Sequence, residues 1–170
     1  MLLAWQQSII DAFKAERIQL IAHVADSILA PIIAALEADD AFTVVTLTRE
    51  EEGVGILCGA YLGGVRGALL LQTSGFGNTI NAFGSLPLPY QIPFVVLHSQ
   101  RGFLSEHNVV QIAGGRAVPA VIEALDIQEF VLDTAETVPD VAQRAVHHAF
   151  VARRPVVLTL STRLTGGKRR

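Results

Sequence analysis

Hydrophobic residues follow two alternating patterns along the chain. Short runs that are apolar almost throughout, among them FTVVTL, GALLLQT, IPFVVLHS and RPVVLTLS, have the length and β-branched content of buried strands. Other segments carry apolar residues at helical spacing, as in WQQSIIDAFKAERI, ILAPIIAALEA and VPDVAQRAVHHAFVA. Apolar strands that alternate with amphipathic helices predict a three-layer α/β fold with a central, mainly parallel sheet.

The remaining elements fit the same alternation. QLIAHV is a short apolar run that ends before Asp26 and Ser27, which can cap the next helix, and QEFVLD is a predicted strand. A helix is expected from the glutamates at 50–52 to the glycines at 63–64, and VPAVIEAL is a predicted helix. SGFGN is predicted to be a tight turn before a helix that starts in TINAFGSL. Ligands of such folds bind at the carboxyl ends of the strands. We therefore expect TREEEGVG, QTSGFGN and HSQRGFLSEHN to meet at one edge of the sheet.

Composition narrows the class of protein. With 170 residues the chain is expected to form a single domain over residues 1–170, and half of it (51%) is hydrophobic while 17% is charged. Apolar runs are all shorter than the roughly 18 residues of a membrane span, and the net charge of −3 disfavours nucleic acid as a partner, despite the basic tail GGKRR. A single cysteine and an N-terminus without signal-peptide features suggest the cytoplasm. The high apolar content predicts self-association or another subunit.

Three consecutive glutamates precede an otherwise apolar helix. In a structural interpretation, Thr48 and Glu51 form a capping box and the acidic first turn favours the helix dipole. That interpretation leaves the glycines at 53, 55 and 59 unexplained, because each weakens a helix by up to about 1 kcal/mol relative to alanine. Their spacing indicates that another helix or a flat ligand approaches the backbone closely.

Three segments together resemble a known family. TREEEGVGILCGAYLGG, LLLQTSGFGNTINAFGSL and IPFVVLHSQRG look like the pyrimidine-binding domain of thiamine-diphosphate-dependent decarboxylases. The likeness runs over nearly the whole chain and is greatest to the members that act on 3-sulfopyruvate or phosphonopyruvate. It implies a carboxy-lyase that uses thiamine diphosphate and Mg²⁺ to decarboxylate a small anionic 2-oxo acid.

The resemblance assigns a catalytic role to one glutamate. In this family a glutamate hydrogen-bonds N1′ of the cofactor's aminopyrimidine, and the pattern Glu-x-Gly-x-Gly is followed by a tyrosine ten residues after the glutamate. Glu51 matches that pattern with Gly53, Gly55 and Tyr61. The family role suits a carboxyl group with a raised pKa in an apolar pocket. The other two glutamates are then helix-start or interface acids.

Further site residues follow from the same resemblance. The segment beside the cofactor ring corresponds to Thr73, Ser74, Gly75, Phe76, Gly77 and Asn78. Substrate contacts correspond to Asp26, Ser27, Arg101 and His107, where an arginine suits a sulfonate, phosphonate or carboxylate. The alternative for residues 73–78 is a glycine-containing turn between a strand and a helix. The alternatives for the substrate contacts are a helix cap at Asp26 and Ser27, and a solvated polar loop that contains Arg101 and His107.

Relatives hold the diphosphate and its metal with a second domain that carries a Gly-Asp-Gly motif, and this sequence contains none. The resemblance therefore implies that the diphosphate-binding domain and Mg²⁺ lie mainly on a separate β subunit. Two alternatives stay open. In the first, the substrate is another 2-oxo acid. In the second, the protein is not an enzyme but an α/β module that binds a nucleotide or a protein partner.

Overall fold

The computed structural model describes residues 2–104 and 106–167, so most of the basic tail lies outside it. The strands are β1 (Ile18–His23), β2 (Thr43–Thr46), β3 (Arg66–Gln72), β4 (Val95–Ser99), β5 (Gln128–Leu132) and β6 (Val156–Leu160). The helices are α1 (Ala4–Ala15), α2 (Ala30–Glu37), α3 (Glu50–Leu62), α4 (Thr73–Asn78), α5 (Ile80–Ser85), α6 (Pro87–Tyr90), α7 (Val110–Ala124), α8 (Val138–Ala152) and α9 (Thr162–Thr165). Within these ranges no helix is both long and apolar enough to cross a bilayer.

The strands of the described chain form one sheet in the order β2-β1-β3-β4-β6-β5. Every neighbouring pair is parallel. Parallel neighbours require crossover connections, and the helices between successive strands supply them. The predicted three-layer α/β fold is confirmed.

Two apolar layers cover the faces of the sheet, because alternate strand residues point to opposite sides. Leu70, Leu97 and Leu158 face α1, α2 and α8, which contribute buried residues such as Phe13 and Val146. On the opposite face, Leu69, Leu71, Val96 and Val157 pack against α3, α4, α5 and α7. Both faces of the central strands β3, β4 and β6 are thus buried, which explains why these strands are largely apolar.

Two segments differ from their predicted structure. SGFGN is helical: α4 begins at Thr73, directly after β3, instead of following a tight turn. Helix α7 begins at Val110, well before the predicted start at 118, and continues through Pro119. Gly115 allows α7 to touch the loop after β4, since a Cβ there would lie 2.3 Å from the carbonyl oxygen of Arg101. The glycine that weakens the helical pattern is needed where α7 touches the loop after β4.

Candidate functional site

The predicted site segments meet at the carboxyl edge of the sheet, as parallel strands require. Helix α4 lies at the centre of this edge because it begins immediately after β3, the third strand of the sheet. It contacts both α3 and α7. The polar side chains around α4 form two groups, one on the side of α3 and the other at the end of β4.

The first group is formed by Glu50, Gly75 and Asn78. Glu50 opens α3 and is only 8% exposed, although it is a carboxylate. Asn78 Nδ2 donates a hydrogen bond of 2.9 Å to Glu50 Oε2. A Cβ built on Gly75 would lie 2.2 Å from Glu50 Oε1, so only glycine leaves room for this carboxylate. Glu50 lies on the inward face of α3 because it shares helical spacing with buried Val54 and Leu57.

The other two glutamates have different surroundings. Glu52 completes the cap of α3, since its Oε2 accepts hydrogen bonds from the backbone N–H groups of Thr48 (3.1 Å) and Arg49 (3.4 Å). The predicted capping box with Glu51 is therefore wrong, because the helix begins one residue later than that pairing requires. Glu51 pairs instead with Arg49, whose Nε lies 2.5 Å from Glu51 Oε1.

Glu51 also has a feature that its ion pair leaves unexplained. Its Oε2 atom is buried and has no hydrogen-bond partner among the described residues. The pKa of Glu51 is lowered, chiefly by its own backbone N–H and then by Arg49. The raised pKa expected of the family's catalytic carboxyl is thus not a property of Glu51 in the isolated chain.

The second group lies at the end of β4. Ser99 Oγ donates to Asp26 Oδ1 at 3.0 Å, and the same carboxylate oxygen accepts from the backbone N–H groups of Ile28 and Leu29. Asp26 thus makes the capping contacts of the turn that leads into α2, and it is buried. Next to it, the hydroxyl of Thr73 accepts a hydrogen bond from the backbone N–H of Arg101 at 2.8 Å.

The side chain of Arg101 is buried in an ion pair with Glu106. Arg101 Nε and Nη2 donate to the two oxygens of Glu106 at 2.9 and 2.8 Å, and the two side chains are only 5% and 6% exposed. Glu106 also accepts from the backbone N–H groups of Gly102 and Asn108. The hydrogen bonds from Arg101 lower the pKa of Glu106 to about 2. This loop is folded around a carboxylate, so it is not the solvated polar loop of the alternative interpretation.

Other predicted site residues lie apart from these groups or face elsewhere. Ser27 and His107 are exposed. In α4, Ser74 and Gly77 are exposed, whereas the ring of Phe76 is fully buried and stacks on Phe83 at a centroid distance of 5.7 Å. Phe76 can therefore reach a ligand only through its backbone.

The outer face of α3 has open space at its glycines. A Cβ on Gly55 or Gly59 would meet no described atom within 4 Å, and Ile56 and Leu62 on the same helix are 38% and 77% exposed. Gly53 differs, because a Cβ there would lie 2.6 Å from Leu69. The inward glycine is thus explained by packing within the chain, whereas the two outward glycines are not.

These residues suit one end of a flat heterocycle better than a metal ion. A buried carboxylate beside an amide, with a glycine backbone beneath it, provides hydrogen-bonding groups and a close backbone approach. In the described ranges, no group of three or more His, Cys, Asp or Glu side chains has the arrangement of a metal site. A surface cleft of about 340 Å³ lies at the opposite end of the sheet, near Asp126 and Pro155, and holds none of the predicted site residues.

Sequence reasoning missed two parts of the site, and one of them had a detectable signal. Glu50 precedes Val54 and Leu57 by four and seven residues, the spacing of one buried helical face. Tracing the helical face back to residue 50 identifies it as the buried glutamate. The pairing of Arg101 with Glu106 depends on a loop conformation that has no periodic signal.

Comparison with known proteins gives relatives that share most of the chain. The sequence is 34% identical over 151 residues to sulfopyruvate decarboxylase subunit alpha of Methanocaldococcus jannaschii, with 89% of both chains covered. It is 44% identical over 105 residues to the same subunit of Methanococcus maripaludis, covering 62% of this chain and 60% of that subunit. Phosphonopyruvate decarboxylase of Streptomyces viridochromogenes is 33% identical over 135 residues, which are 79% of this chain and 32% of that protein. None of the protein-family models matches.

Solved structures share the fold at lower sequence identity. The thiamine diphosphate-dependent 4-hydroxybenzoylformate decarboxylase of Rhodococcus jostii RHA1 superposes with a TM-score of 0.75 at 18% identity, over 94% of this chain and 30% of that one. The 2-oxoglutarate:ferredoxin oxidoreductase of Magnetococcus marinus gives a TM-score of 0.69 at 12% identity, over 97% of this chain and 30% of that chain. The chain corresponds to less than a third of either enzyme chain.

Proposed function

Because the chain belongs to the family of sulfopyruvate decarboxylase α subunits, we propose that it is the α subunit of a thiamine-diphosphate-dependent carboxy-lyase that converts 3-sulfopyruvate to sulfoacetaldehyde and CO2. Phosphonopyruvate or another 2-oxo acid is the alternative substrate. Beyond the family relationship, the observation that supports the proposal best is the buried carboxylate of Glu50 between Gly75 and Asn78.

Glutamate is the residue type that the proposed chemistry needs at this edge. Thiamine diphosphate, when bound, supplies an electron sink for the loss of CO2. The chain's part is to hold a carboxyl group that exchanges a proton with the ring nitrogen N1′. The register of the sequence motif assigns this part to Glu51, which has an unpartnered buried oxygen. Glu50, which is buried and hydrogen-bonded to Asn78 of α4, is the alternative. Glu52 is occupied by the helix cap.

Thr73, the backbone of Gly75, and Asn78 are the groups of α4 that we propose to lie beside the cofactor ring. Thr73 and Gly75 are buried, and Asn78 is already directed at the carboxylate of Glu50. Asp26, Ser27, Arg101 and His107 stay the proposed substrate contacts. For Arg101 this role requires the substrate anion to replace Glu106 or to bind the remaining guanidinium N–H groups.

A partner subunit is part of the proposal. We propose that a β subunit carries the diphosphate-binding domain and holds Mg²⁺, and that the α subunit also self-associates. The open space at Gly55 and Gly59, beside exposed Ile56 and Leu62, supports a close neighbour on the outer face of α3. Helices approach one another most closely at glycines, because no side chain separates their backbones.

The test starts from a complex of this chain with a candidate β subunit, to be sought as a Gly-Asp-Gly-containing chain encoded beside it. Sulfopyruvate, phosphonopyruvate and pyruvate are compared as substrates with thiamine diphosphate and Mg²⁺ present. We expect decarboxylation by the complex and none by the single chain. Turnover by the single chain would contradict the division of the site between subunits, and no turnover of any 2-oxo acid by the complex would favour the non-catalytic binding module.

The same complex identifies the catalytic glutamate. Glu50→Gln, Glu51→Gln and Glu52→Gln are each assayed for turnover and for hydrogen–deuterium exchange at C2 of the bound cofactor. Loss of a proton-transferring carboxyl lowers the rate by about 10²-fold or more. We expect this loss for Glu51→Gln and a small effect for Glu52→Gln, the matched control. A large loss for Glu50→Gln instead would assign the acid to the buried glutamate beside α4, and normal exchange in all three variants would refute a catalytic glutamate in α3.

A further inference from the structure

A line of hydrogen bonds crosses the sheet from its edge to the candidate site. Glu129 Oε1 on β5 lies 2.5 Å from Thr159 Oγ1 on β6, and Thr159 Oγ1 lies 3.0 Å from Nδ1 of His98 on β4. The other ring nitrogen, Nε2, lies 2.9 Å from Thr73 Oγ1 at the start of α4. Thr73 Oγ1 finally accepts from the backbone N–H of Arg101 at 2.8 Å.

The sheet register places these side chains in line. His98 is paired with Thr159, and Thr159 with Val131. Glu129 precedes Val131 by two residues, so its side chain is on the same face of the sheet. That face is otherwise apolar, and His98 and Thr159 are 2% and 0% exposed. Buried polar groups of this kind are hydrogen-bonded in folded proteins, and here they bond to one another.

The carboxylate at one end determines the direction of every hydrogen bond. A carboxylate oxygen only accepts, so the hydroxyl of Thr159 donates to Glu129. Thr159 then has no hydrogen left and accepts from His98, which places the imidazole proton on Nδ1. The lone pair of Nε2 therefore accepts from the hydroxyl of Thr73, whose oxygen accepts from the backbone of Arg101.

A second direction is possible without the carboxylate. The hydroxyl of Thr73 has another acceptor, the carbonyl oxygen of Ser99, at 3.4 Å. If Thr73 donated there, Nε2 of His98 would carry the proton and Nδ1 would accept from Thr159. Burial lowers the pKa of His98 to about 4, so the ring is neutral at neutral pH and holds one proton that must be on one nitrogen or the other.

We propose that Glu129 is a positioning residue for the candidate site. Through Thr159 it holds His98 in the Nδ1–H tautomer, and this tautomer directs the hydroxyl of Thr73 away from Ser99. Thr73 opens α4 and holds Arg101, the second residue of the loop after β4, so Glu129 on the sheet edge orients groups at the carboxyl edge. The effect on turnover depends on the proposed function, whereas the tautomer does not.

The tautomer of His98 is read from two-bond ¹⁵N–¹H correlations of the folded single chain, with the exposed histidines at 107 and 147 replaced by glutamine to simplify assignment. We expect Nδ1–H in the wild-type chain. Thr159→Val and Glu129→Met should convert most of the population to Nε2–H. The Nδ1–H tautomer would leave the buried N–H of His98 unpaired in Thr159→Val, and the buried hydroxyl of Thr159 without an acceptor in Glu129→Met. Thr159→Ser should restore Nδ1–H. Gln128→Met, which removes an exposed polar side chain next to Glu129, is the matched control and should change nothing.

Two results would overturn the proposal. The first is an Nε2–H tautomer of His98 in the wild-type chain. This measurement does not depend on whether the variants fold. A tautomer shift in Thr159→Val that leaves turnover of the reconstituted complex at the wild-type level would refute the positioning role. Lower turnover in Thr159→Val with recovery in Thr159→Ser would support it.

Discussion

Removing one partner of the ion pair between Arg101 and Glu106 has a large and testable effect on stability. Both side chains are about 95% buried, and Glu106 accepts four hydrogen bonds, two from the guanidinium and two from backbone N–H groups. Glu106→Leu removes all four and leaves the buried guanidinium of Arg101 without its hydrogen-bonded partner, although the carboxylate of Asp26 still acts on it through space. Breaking a buried pair in this way costs about 3–5 kcal/mol, and we expect a loss of that size in the free energy of unfolding.

Urea unfolding measures this loss through the fluorescence of Trp5, which is the sole tryptophan and lies in the core far along the chain from the loop. Glu123→Leu, which removes an exposed glutamate from α7, is the matched control and should stay within about 0.5 kcal/mol of wild type. The double variant Arg101→Met/Glu106→Leu should be more stable than Glu106→Leu alone, because it buries no unpaired charge.

A loss below about 1 kcal/mol in Glu106→Leu would refute the reasoning, since exposed ion pairs contribute that little. A double variant no more stable than Glu106→Leu would also contradict it. Either result would mean that the guanidinium is solvated, and therefore available to a substrate without displacing Glu106.

Two further predictions concern pH and substrate charge. The folded chain keeps His98 neutral down to a pKa of about 4, whereas the unfolded value is 6.5, so the unfolded state binds more protons between these values. The stability from His98 is therefore complete above about pH 6.5 and is lost as pH falls toward 4, by about 2 kcal/mol between pH 7 and pH 5. Urea unfolding of wild type and of His98→Gln at a series of pH values checks this. If the free energy of unfolding fell equally steeply with pH in both proteins, the prediction would be contradicted. If Arg101 binds the anionic tail of the substrate, Arg101→Met should raise KM for 3-sulfopyruvate about 10- to 150-fold more than for pyruvate in the reconstituted complex. Equal effects on both substrates would leave Arg101 as the partner of Glu106 alone.

The sequence predicted the sheet well because its strands are buried on both faces. An uninterrupted apolar run such as GALLLQT has few other folded environments, and the helices between the runs follow from their spacing. Helix α7 was predicted too short, because Gly114, Gly115 and Pro119 each weaken a helical pattern. Their positions become understandable only when the loop after β4 is seen against the helix.

The sequence predicted which segments form the candidate site better than it predicted the contacts of individual side chains. Parallel topology brings the ends of β2, β3 and β4 to one edge of the sheet, so the segments could be placed from their order alone. Which glutamate faces α4 depends on the rotation of α3 about its axis, and a difference of one residue turns a side chain by about 100°. The contacts of Arg101 and His98 depend on residues far away in sequence, for which no local pattern exists.

The strand order also has a consequence for synthesis of the chain. Strand β6 lies inside the sheet, between β4 and β5, although it is the last strand of the described chain. While the ribosome is still adding residues 133–155, β5 has been made but the strand that pairs with it has not. The edge of β4 that pairs with β6 is then unpaired as well, and β4 carries apolar residues on both of its faces. Such unpaired edges favour aggregation, so the nascent chain is most exposed to misassembly shortly before Val156–Leu160 leaves the exit tunnel.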